Sequence, residues 1–509
     1  MKLITFAFFF ISIKLVFCQF NEPATVEYSA AVFYMGGSDS TYSLDWTPAN
    51  DFEIDPRRWT YGLKKAAISH DFRMGQYEIT RQDYAEMLNY ALGKGWVSVT
   101  GDLVYNEIGV KKTLVDLKNP VSGNNNDPTP GTHQIIYNTG TFTTPAGTEN
   151  TALASVSYYG ASFFCYVLND KFGNDLMYDL NTWTCTTYGS TGYRLPTEGE
   201  WIRVTRGALN TRDFMWDGVN QSSSSFFAAN TNYIGSGFRD PITVGSYNAQ
   251  GENGDLYDMA ANVAEWIEDF KNPYYHRYGN WHPTNPTGGA NFDGKKITLG
   301  GSHDCPEHYF RYTYHWPHSM SNRDERVGFR VVKNFATNNK APKPEFWPTK
   351  AIIPAGDQVK FINVSMYDPT SFSWEFEGGT PAVSIDNEPV VTYNNSGTYW
   401  VKLTATNSYG VVEELKSSLI TVTGTATGIK ESAQSSFKLF PNPGNNILNI
   451  SNNQKNSSLM IMDIYGKIIL ESFFNSNIKV DVSQYLKGVY FVVIHDESNI
   501  ITTKKWIKQ

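Results

Sequence analysis

The chain has few cysteines, few charged residues and no long apolar segment beyond its start. Four cysteines in 509 residues are too few for the disulfide framework on which small secreted scaffolds depend. Charged residues make up 18% and aromatic residues 15%, which excludes a disordered chain, a coiled coil and a collagen-like fibre. The formal net charge is −8, so a nucleic-acid partner, which requires a basic face, is not expected.

The first residues are typical of a secretory signal peptide, predicted over residues 1–18. Met1-Lys2 precedes an apolar run at residues 3–13, which is too short to cross a bilayer comfortably. Cys18 raises the alternative of a lipid-modified cysteine, but such a site needs a small residue before the cysteine, and Phe17 is large. No later run reaches the roughly 18 apolar residues of a membrane-spanning helix, so no transmembrane segment is expected in the mature chain.

Composition divides the rest of the chain into three blocks, in line with the roughly 150 residues of an average domain. Residues 19–335 are rich in aromatics and glycine, and residues 336–344 form a Lys/Asn/Pro linker. Residues 345–424 alternate with period two, so that Phe372, Trp374 and Phe376 share one strand face. After a Thr/Gly/Ser linker at residues 425–436, residues 437–509 again predict short strands separated by turns.

Three helix starts are predicted in the first block. Thr80 begins a capping arrangement, Ser157 caps a second helix, and Thr197 begins a capping box. Cys165 falls on the apolar face of the second helix, so a small buried hydrophobe is favoured over a disulfide with Cys185.

Six motifs follow one another in the first block and carry a family resemblance. They are MGQYEIT (74–80), VSYYGASFFC (156–165), YRLPTEGEW (193–201), GDLYDMAANVAEW (254–266), LGGS (299–302) and VGFRV (327–331). In this order, over residues 65–335, they resemble the formylglycine-generating enzyme family, also called the sulfatase-modifying-factor domain. The resemblance implies an irregular variant of the C-type-lectin-like fold. The expected fold class is therefore α+β, with two all-β sandwich domains following the irregular domain.

The last two blocks resemble other modules. WEFEGG (374–379) and GTYWVKLTATN (397–407) are similar to a PKD domain, an immunoglobulin-like β-sandwich. LFPNP (439–443), IYGK (464–467), LKGVYF (486–491) and KKWIK (504–508) resemble the type A sorting domain of the type IX secretion system. That resemblance implies export across the outer membrane by the type IX machinery, a secreted or cell-surface location, and removal of the tail.

The family resemblance implies two calcium sites. The first would use the side chains of Asp258 and Glu265 with the carbonyls of Ala261 and Val263, oxygen ligands of the kind that calcium prefers; a solvated turn is the alternative. The second would use Asn230, the Thr231 carbonyl, Ser236 and the Phe238 carbonyl. It matches less well, because Ser236 stands where the family has an aspartate.

The family's redox site is only half present. Active members bind Cu(I) through two cysteines five residues apart after the Gly-Gly-Ser strand, since soft thiolates select that ion. Here Cys305 follows Ser302 at the first position, and Phe310 occupies the second. Copper is therefore not expected, and Cys305 and Ser302 remain the candidate catalytic residues of an atypical enzyme.

Histidines crowd the same stretch and raise the alternative of an unorthodox metal site. They are His276, His282, His303, His308, His315 and His318. Histidine and cysteine could bind zinc, copper or iron, but the spacing fits no standard pattern, and scattered polar or stacking histidines are favoured.

Three functions are compatible with these observations. The favoured one is a calcium-stabilised, non-oxidase surface protein that binds or adheres to an extracellular protein or glycan. The alternative is an atypical metal-dependent oxidase that uses Cys305. A third is carbohydrate binding by exposed aromatics such as Trp281 and Trp316.

Overall fold

The computed structural model describes residues 20–36, 63–118, 133–208, 240–272, 283–305, 307–312, 314–335, 339–424, 437–452, 457–463, 467–495 and 501–509. The chain divides into two compact units, Met1–Thr423 and Gly424–Gln509. Within the described ranges, no helix combines the length and apolarity needed to cross a membrane. The predicted signal peptide and the second calcium set, Asn230, Thr231, Ser236 and Phe238, lie outside the described residues.

The first domain is α+β with many short strands, as the sequence predicts. Its strands are β1 (Thr25–Tyr28), β2 (Ala31–Met35), β3 (Lys64–Ile68), β4 (Phe72–Gly75), β5 (Val97–Thr100), β6 (Leu103–Asn106), β7 (Thr113–Asp116), β8 (Ile136–Asn138), β9 (Thr141–Thr143), β10 (Tyr178–Asp179), β11 (Thr184–Cys185), β12 (Tyr193–Arg194), β13 (Ala264–Phe270), β14 (Lys295–Leu299), β15 (Trp316–Ser319), β16 (Val327–Gly328) and β17 (Val332–Asn334). One four-stranded sheet has the order β15-β14-β13-β16, and a second has the order β1-β4-β17-β12.

The three predicted helix starts are confirmed. The helices are α1 (Arg81–Gly93), α2 (Tyr158–Phe172) and α3 (Glu198–Arg206). Thr80 and Thr197 form capping boxes with Asp83 and Glu200, and Ser157 accepts a hydrogen bond from the Gly160 N–H. These caps satisfy N–H groups that a helix start otherwise leaves without a partner.

Two apolar clusters form the core of the first domain. One packs α1 and α2 against Trp266 and Phe329. The other packs Trp201 of α3 against the strands that carry Phe72 and Leu299. The N-terminal end of β13 lies where these clusters meet, since Trp266 belongs to the first cluster and Ile267 to the second.

The PKD-like block is a β-sandwich in the same unit as the first domain. Its strands are β18 (Phe346–Pro348), β19 (Ile352–Pro354), β20 (Gln358–Asn363), β21 (Ser371–Phe376), β22 (Gly379–Thr380), β23 (Val383–Ser384), β24 (Val390–Tyr393), β25 (Gly397–Asn407) and β26 (Gly410–Thr423). They form sheets of order β18-β20-β24-β22 and β19-β26-β25-β21-β23. Trp374 and Phe376 face the core between them, which confirms the predicted strand face.

The second unit is also a two-sheet β-sandwich. Its strands are β27 (Phe437–Phe440), β28 (Ile447–Asn452), β29 (Ser457–Asp463), β30 (Ile468–Phe474), β31 (Asn477–Asp481), β32 (Gly488–His495) and β33 (Ile501–Lys508). The sheets have the orders β27-β28-β31 and β30-β29-β32-β33. Trp506 of the last strand is fully buried, and its indole N–H donates to the Pro441 carbonyl at 2.9 Å.

Candidate functional site

The predicted calcium residues and the predicted redox residues lie in two adjacent segments. We call residues 258–265 the acidic turn and residues 300–305 the thiol segment. Glu265 pairs with Leu299 in the β13–β14 ladder, so both segments leave the same end of the sheet. The Ala261 N–H donates to the Gly300 carbonyl at 2.8 Å, and the His303 N–H donates to the Asn262 carbonyl at 2.9 Å. The two segments are therefore hydrogen-bonded along their length.

The acidic turn is tight and largely buried. Asp258, Ala261 and Asn262 have φ values of 55°, 67° and 56°, a left-handed conformation that non-glycine residues rarely adopt. Such strain persists only where the surroundings fix it. Here the Asp258 carboxylate accepts a hydrogen bond from the Gly245 N–H at 2.6 Å, and the Asn262 carbonyl is held by His303.

Glu265 forms an ion pair with Arg330 and does not face solvent. Both side chains are fully buried, and the guanidinium Nη2 lies 2.6 Å from Glu265 Oε1. The Trp201 indole N–H donates to Glu265 Oε2 at 2.9 Å. Arg330 also donates to the carbonyls of Gly75 and Tyr257, so this buried pair joins three segments. Arg330 supplies a positive charge beside Asp258 and Glu265. Repulsion between these two carboxylates therefore does not by itself make the turn depend on a bound cation.

A further buried carboxylate, Glu78, was missed by the sequence analysis. The Asn262 amide donates to Glu78 Oε2 at 2.5 Å, and the Val263 N–H donates to Oε1 at 3.0 Å. Burial raises the pKa of Glu78 well above its usual range, and Asp258 and Glu265 add to this effect. Its motif, MGQYEIT, carries a charged residue between apolar ones, and that is the signal the sequence offered.

The acidic turn offers oxygen donors, the ligand type that calcium prefers, although the carboxylates of the described residues do not form a group of three metal-ligating side chains. Three carboxylates, Glu78, Asp258 and Glu265, face one guanidinium, Arg330. Burial also raises the pKa of Asp258 to about 6, as expected where negative charge lacks a full counterpart. Asp258 and the carbonyls of Ala261 and Val263 would hold the ion. Glu265 is the weakest member of the predicted set, since its oxygens already accept from Arg330 and Trp201.

Cys305 is buried and does not resemble an activated nucleophile. It is 1% exposed, and its Sγ lies 3.1 Å from the Ser302 hydroxyl. Burial raises the pKa of the thiol to about 11, although the Ser302 hydrogen bond and Arg326 oppose the shift. Reactive cysteines show the opposite shift, because the thiolate is the nucleophile and the metal ligand. The structure thus brings the two candidate catalytic residues together as a neutral thiol and a hydroxyl.

Phe310 lies in the core, not on a cleft. It ends a short 3-10 helix, Glu307–Phe310, and is fully buried. A Cβ atom added to Gly301 would lie 2.7 Å from the Phe310 ring, so the ring packs directly beneath the thiol segment. An apolar ring without a donor atom thus fills the second redox position.

The described histidines of this stretch have separate partners. His303 Nδ1 lies 2.8 Å from the Asn262 carbonyl, and His315 Nε2 lies 2.8 Å from Glu198 Oε1. His318 Nδ1 lies 2.9 Å from the Asn322 amide. No three His, Cys, Asp or Glu side chains of the described residues form a group able to hold a metal. His276 and His282 lie outside the described residues, and the side chain of His308 is likewise not described.

The remaining candidate residues have surroundings typical of structural side chains. Cys165 is buried and Cys185 half-buried, and both are free thiols. Trp316 is half-buried, and the Arg326 guanidinium covers one face of its ring, 4.6 Å from the ring centroid. Trp281 lies outside the described residues.

The fold and these buried polar pairs define an irregular α+β domain that precedes two β-sandwich domains. The chain belongs to the sulfatase-modifying factor family: the family model described as "Sulfatase-modifying factor enzyme 1-like domain" matches residues 18–335. A PKD domain matches residues 339–422, and a secretion system C-terminal sorting domain matches residues 438–509. The order of the three predicted modules is confirmed, and the sorting domain directs the chain to the cell surface or exterior.

Individual relatives match the chain in part. The mouse (Mus musculus) formylglycine-generating enzyme is 30% identical over 24% of this chain and 33% of its own length. The Streptomyces coelicolor formylglycine-generating enzyme is 28% identical over 28% of this chain and 47% of its own length. Serine/threonine-protein kinase pkn1 of Chlamydia pneumoniae is 30% identical over 29% and 23%, respectively. The chain thus spans less than half the length of these relatives.

Two solved structures also align with the chain. Treponema denticola variable protein 1 aligns with a TM-score of 0.39 and 18% identity, over 61% of this chain and 95% of its own. PvdO from Pseudomonas aeruginosa aligns with a TM-score of 0.39 and 17% identity, over 63% and 97%, respectively.

Proposed function

We propose that the protein is a non-oxidase binding or adhesion protein of the cell surface. The observation that carries this proposal is the pair of residues at the redox position. Cys305 is a buried thiol whose pKa is raised to about 11, and Phe310 is a fully buried phenyl ring. Two thiolates are needed to hold Cu(I) in this family, and Phe310 has no donor atom. The domain would then act by binding and not by oxidation.

Calcium stabilisation is part of the same proposal. The acidic turn and the adjacent Glu78 bring three buried carboxyl groups to one guanidinium, and a hard divalent cation would favour their ionised forms. Bound to Asp258 and the two carbonyls, it would fix the turn that the Asn262 and Val263 hydrogen bonds with Glu78 already shape.

We also propose that the sorting domain is removed after export by the type IX machinery. It forms a compact unit of its own, so its loss would leave the cores of the first unit intact. An intact mass of the extracellular protein that still includes Lys504 and Lys505 would contradict removal. Unchanged export after deletion of residues 437–509 would contradict the sorting role itself.

The binding role is tested with purified full-length protein on immobilised fibronectin, collagen and mucin, which represent extracellular proteins and glycoproteins. We expect saturable binding to at least one surface, with the same affinity for Cys305→Ser. The proposal gives the Cys305 thiol no part in binding. Binding that is lost in Cys305→Ser would show that the thiol is needed and would favour the oxidase alternative. An absence of saturable binding on all three surfaces would count against adhesion.

A further inference from the structure

A cavity lies between the first domain and the PKD domain, away from the acidic turn and the thiol segment. We propose that this interdomain cavity binds a neutral saccharide unit. The inference rests on the proposed binding function and gives it a location and a ligand class. Clefts between domains are common positions for small-ligand sites, and a volume of about 320 Å³ is at the lower end of the range that such sites occupy.

The two domains that form the cavity are packed together, not loosely tethered. An apolar cluster joins Ala30 and Ala67 of the first domain to Val364 and Met366 of the PKD domain. The Tyr367 N–H donates to the Ser69 carbonyl at 2.8 Å, a main-chain hydrogen bond across the boundary.

A buried carboxylate strengthens this junction. Asp71 of the first domain is 6% exposed and accepts hydrogen bonds from the Ala30 N–H at 2.9 Å and the Tyr367 hydroxyl at 3.0 Å. Lys340, in the segment that composition predicts as a linker, pairs with the same carboxylate. Burial alone would raise the pKa of Asp71, but these donors hold it below its usual value. The cavity walls are therefore set before any ligand arrives, which lowers the ordering cost of binding.

The lining combines aromatic rings with neutral hydrogen-bonding groups from both domains. Tyr188 and Phe335 come from the first domain, and Tyr367 and Tyr409 from the PKD side. Side-chain amides and hydroxyls lie between the rings. The lining residues include one carboxylate, that of Asp368, and one imidazole, that of His70, but no lysine or arginine. Lys340 lies over the Tyr367 ring and Arg73 over the Phe335 ring, so these cations already have aromatic partners. A neutral polar ligand would meet the Tyr409 ring together with amides and hydroxyls.

The amides of the lining are already oriented by the walls. Asn285 accepts from the Ser69 N–H at 2.7 Å, and its Nδ2 donates to the Ser69 hydroxyl. The Asn407 amide donates to the Tyr367 carbonyl at 2.8 Å. Since an amide side chain has two N–H donors and two acceptor lone pairs, the second N–H of Asn285 remains for a ligand hydroxyl.

Aromatic faces complete the match to a sugar. Tyr409 is 53% exposed, and its hydroxyl donates to Asn339 Oδ1 at 2.5 Å, which holds the ring in place. The C–H faces of a pyranose pack on such rings while its hydroxyls meet amides and hydroxyls.

The test uses full-length protein and an array of neutral oligosaccharides ending in glucose, galactose, mannose or N-acetylglucosamine, with sialylated counterparts. Tyr409→Ala removes one aromatic wall, and Ser408→Trp, at an exposed turn position, fills the cavity. Tyr137→Ala is the matched control, because Tyr137 is 37% exposed on β8 and does not line the cavity. We expect binding of neutral glycans, at least tenfold weaker in both cavity variants and unchanged in the control.

Each other outcome overturns the inference in a recognisable way. Glycan binding that survives both Tyr409→Ala and Ser408→Trp would place the glycan site elsewhere while leaving the proposed function intact. Preference for sialylated glycans would contradict the neutral class. Binding to fibronectin or collagen without any glycan binding would refute the saccharide but not the adhesion role, and absence of both would refute the two together.

Discussion

The acidic turn and the thiol segment lie side by side, yet their reactive groups are partnered differently. In the acidic turn, Glu265 accepts hydrogen bonds from Arg330 and Trp201. The Asn262 side-chain amide and the Val263 N–H donate to Glu78. In the thiol segment, the Cys305 Sγ lies 3.1 Å from the Ser302 hydroxyl, and the buried Phe310 ring fills the position of the second cysteine. The polar groups that shape the fold are thus present, whereas Cys305 and Phe310 stand where the family resemblance implies two cysteines. The acidic turn is a structural element, and the thiol segment is part of the core.

The largest effect is expected from breaking the ion pair of the acidic turn. Arg330→Met leaves buried carboxylates without their cation, so the free energy of unfolding should fall by about 3–5 kcal/mol. The exposed pair of Lys111 and Glu107 provides the control, and Lys111→Met should cost far less, because an exposed ion pair contributes little to stability. Urea denaturation of the full chain measures both, and equal losses would contradict a structural role for Arg330.

Calcium should stabilise the acidic turn by a smaller amount. At a calcium concentration of about 100 times the dissociation constant, the gain is roughly 2.7 kcal/mol. Differential scanning calorimetry with calcium and with excess chelator measures it. Asp258→Asn should remove the difference, whereas Asp102→Asn, at a carboxylate paired with Lys118 outside the turn, should retain it. A melting temperature that is insensitive to chelator, with Asp258→Asn equally neutral, would refute the calcium proposal.

His318, near the thiol segment in sequence, should make stability fall on acidification. Burial lowers the pKa of His318 to about 4; Asp324 opposes the shift, and Arg326 and Lys295 add to it. The unfolded histidine binds its proton near pH 6.5, so between about pH 6.5 and 4 the unfolded state holds more protons. Stability should therefore drop as the pH falls through this window, by up to about 1.4 kcal/mol per pH unit.

The control separates His318 from other titrating groups. His318→Gln should flatten the pH dependence measured by urea denaturation from pH 7 to 5. Identical slopes in the native chain and His318→Gln would show that other groups set the pH dependence.

The smallest effect is expected for the labelling of Cys305 by thiol reagents in the folded chain. With a raised pKa and 1% exposure, the native thiol should resist iodoacetamide at pH 8 and react fully in urea, as peptide mass spectrometry would show. Rapid labelling of Cys305 in the folded chain would mean that the thiol segment opens to solvent, and the contrast between the two segments would then weaken.

Features whose determining contacts are local in the chain could be predicted from the sequence. Thr80, Ser157 and Thr197 cap helices through residues three positions away, so the helix starts were predictable. The family resemblance likewise implied the incomplete redox pair, because Phe310 stands five residues after Cys305. The module order followed from short motifs.

Long-range partners were not predictable in the same way. Glu78 meets Asn262 across 184 positions of the chain, and no local pattern indicates that pairing. The segment around Lys340 was predicted as a linker from its Lys/Asn/Pro composition, whereas Lys340 pairs with Asp71 at the domain junction. The interdomain cavity depends on this docking, and so it was absent from the sequence-based expectations.

The central claim is that the first domain does not convert cysteine to formylglycine, and one measurement tests it directly. Purified protein is incubated with copper, oxygen and a sulfatase-type peptide that contains cysteine, and any aldehyde is captured with a hydrazide reagent. The account predicts no aldehyde above that of a Cys305→Ser variant, because Phe310 leaves Cu(I) with a single sulfur ligand at this position. Aldehyde that forms with the native chain and disappears with Cys305→Ser would contradict the account and restore the oxidase alternative.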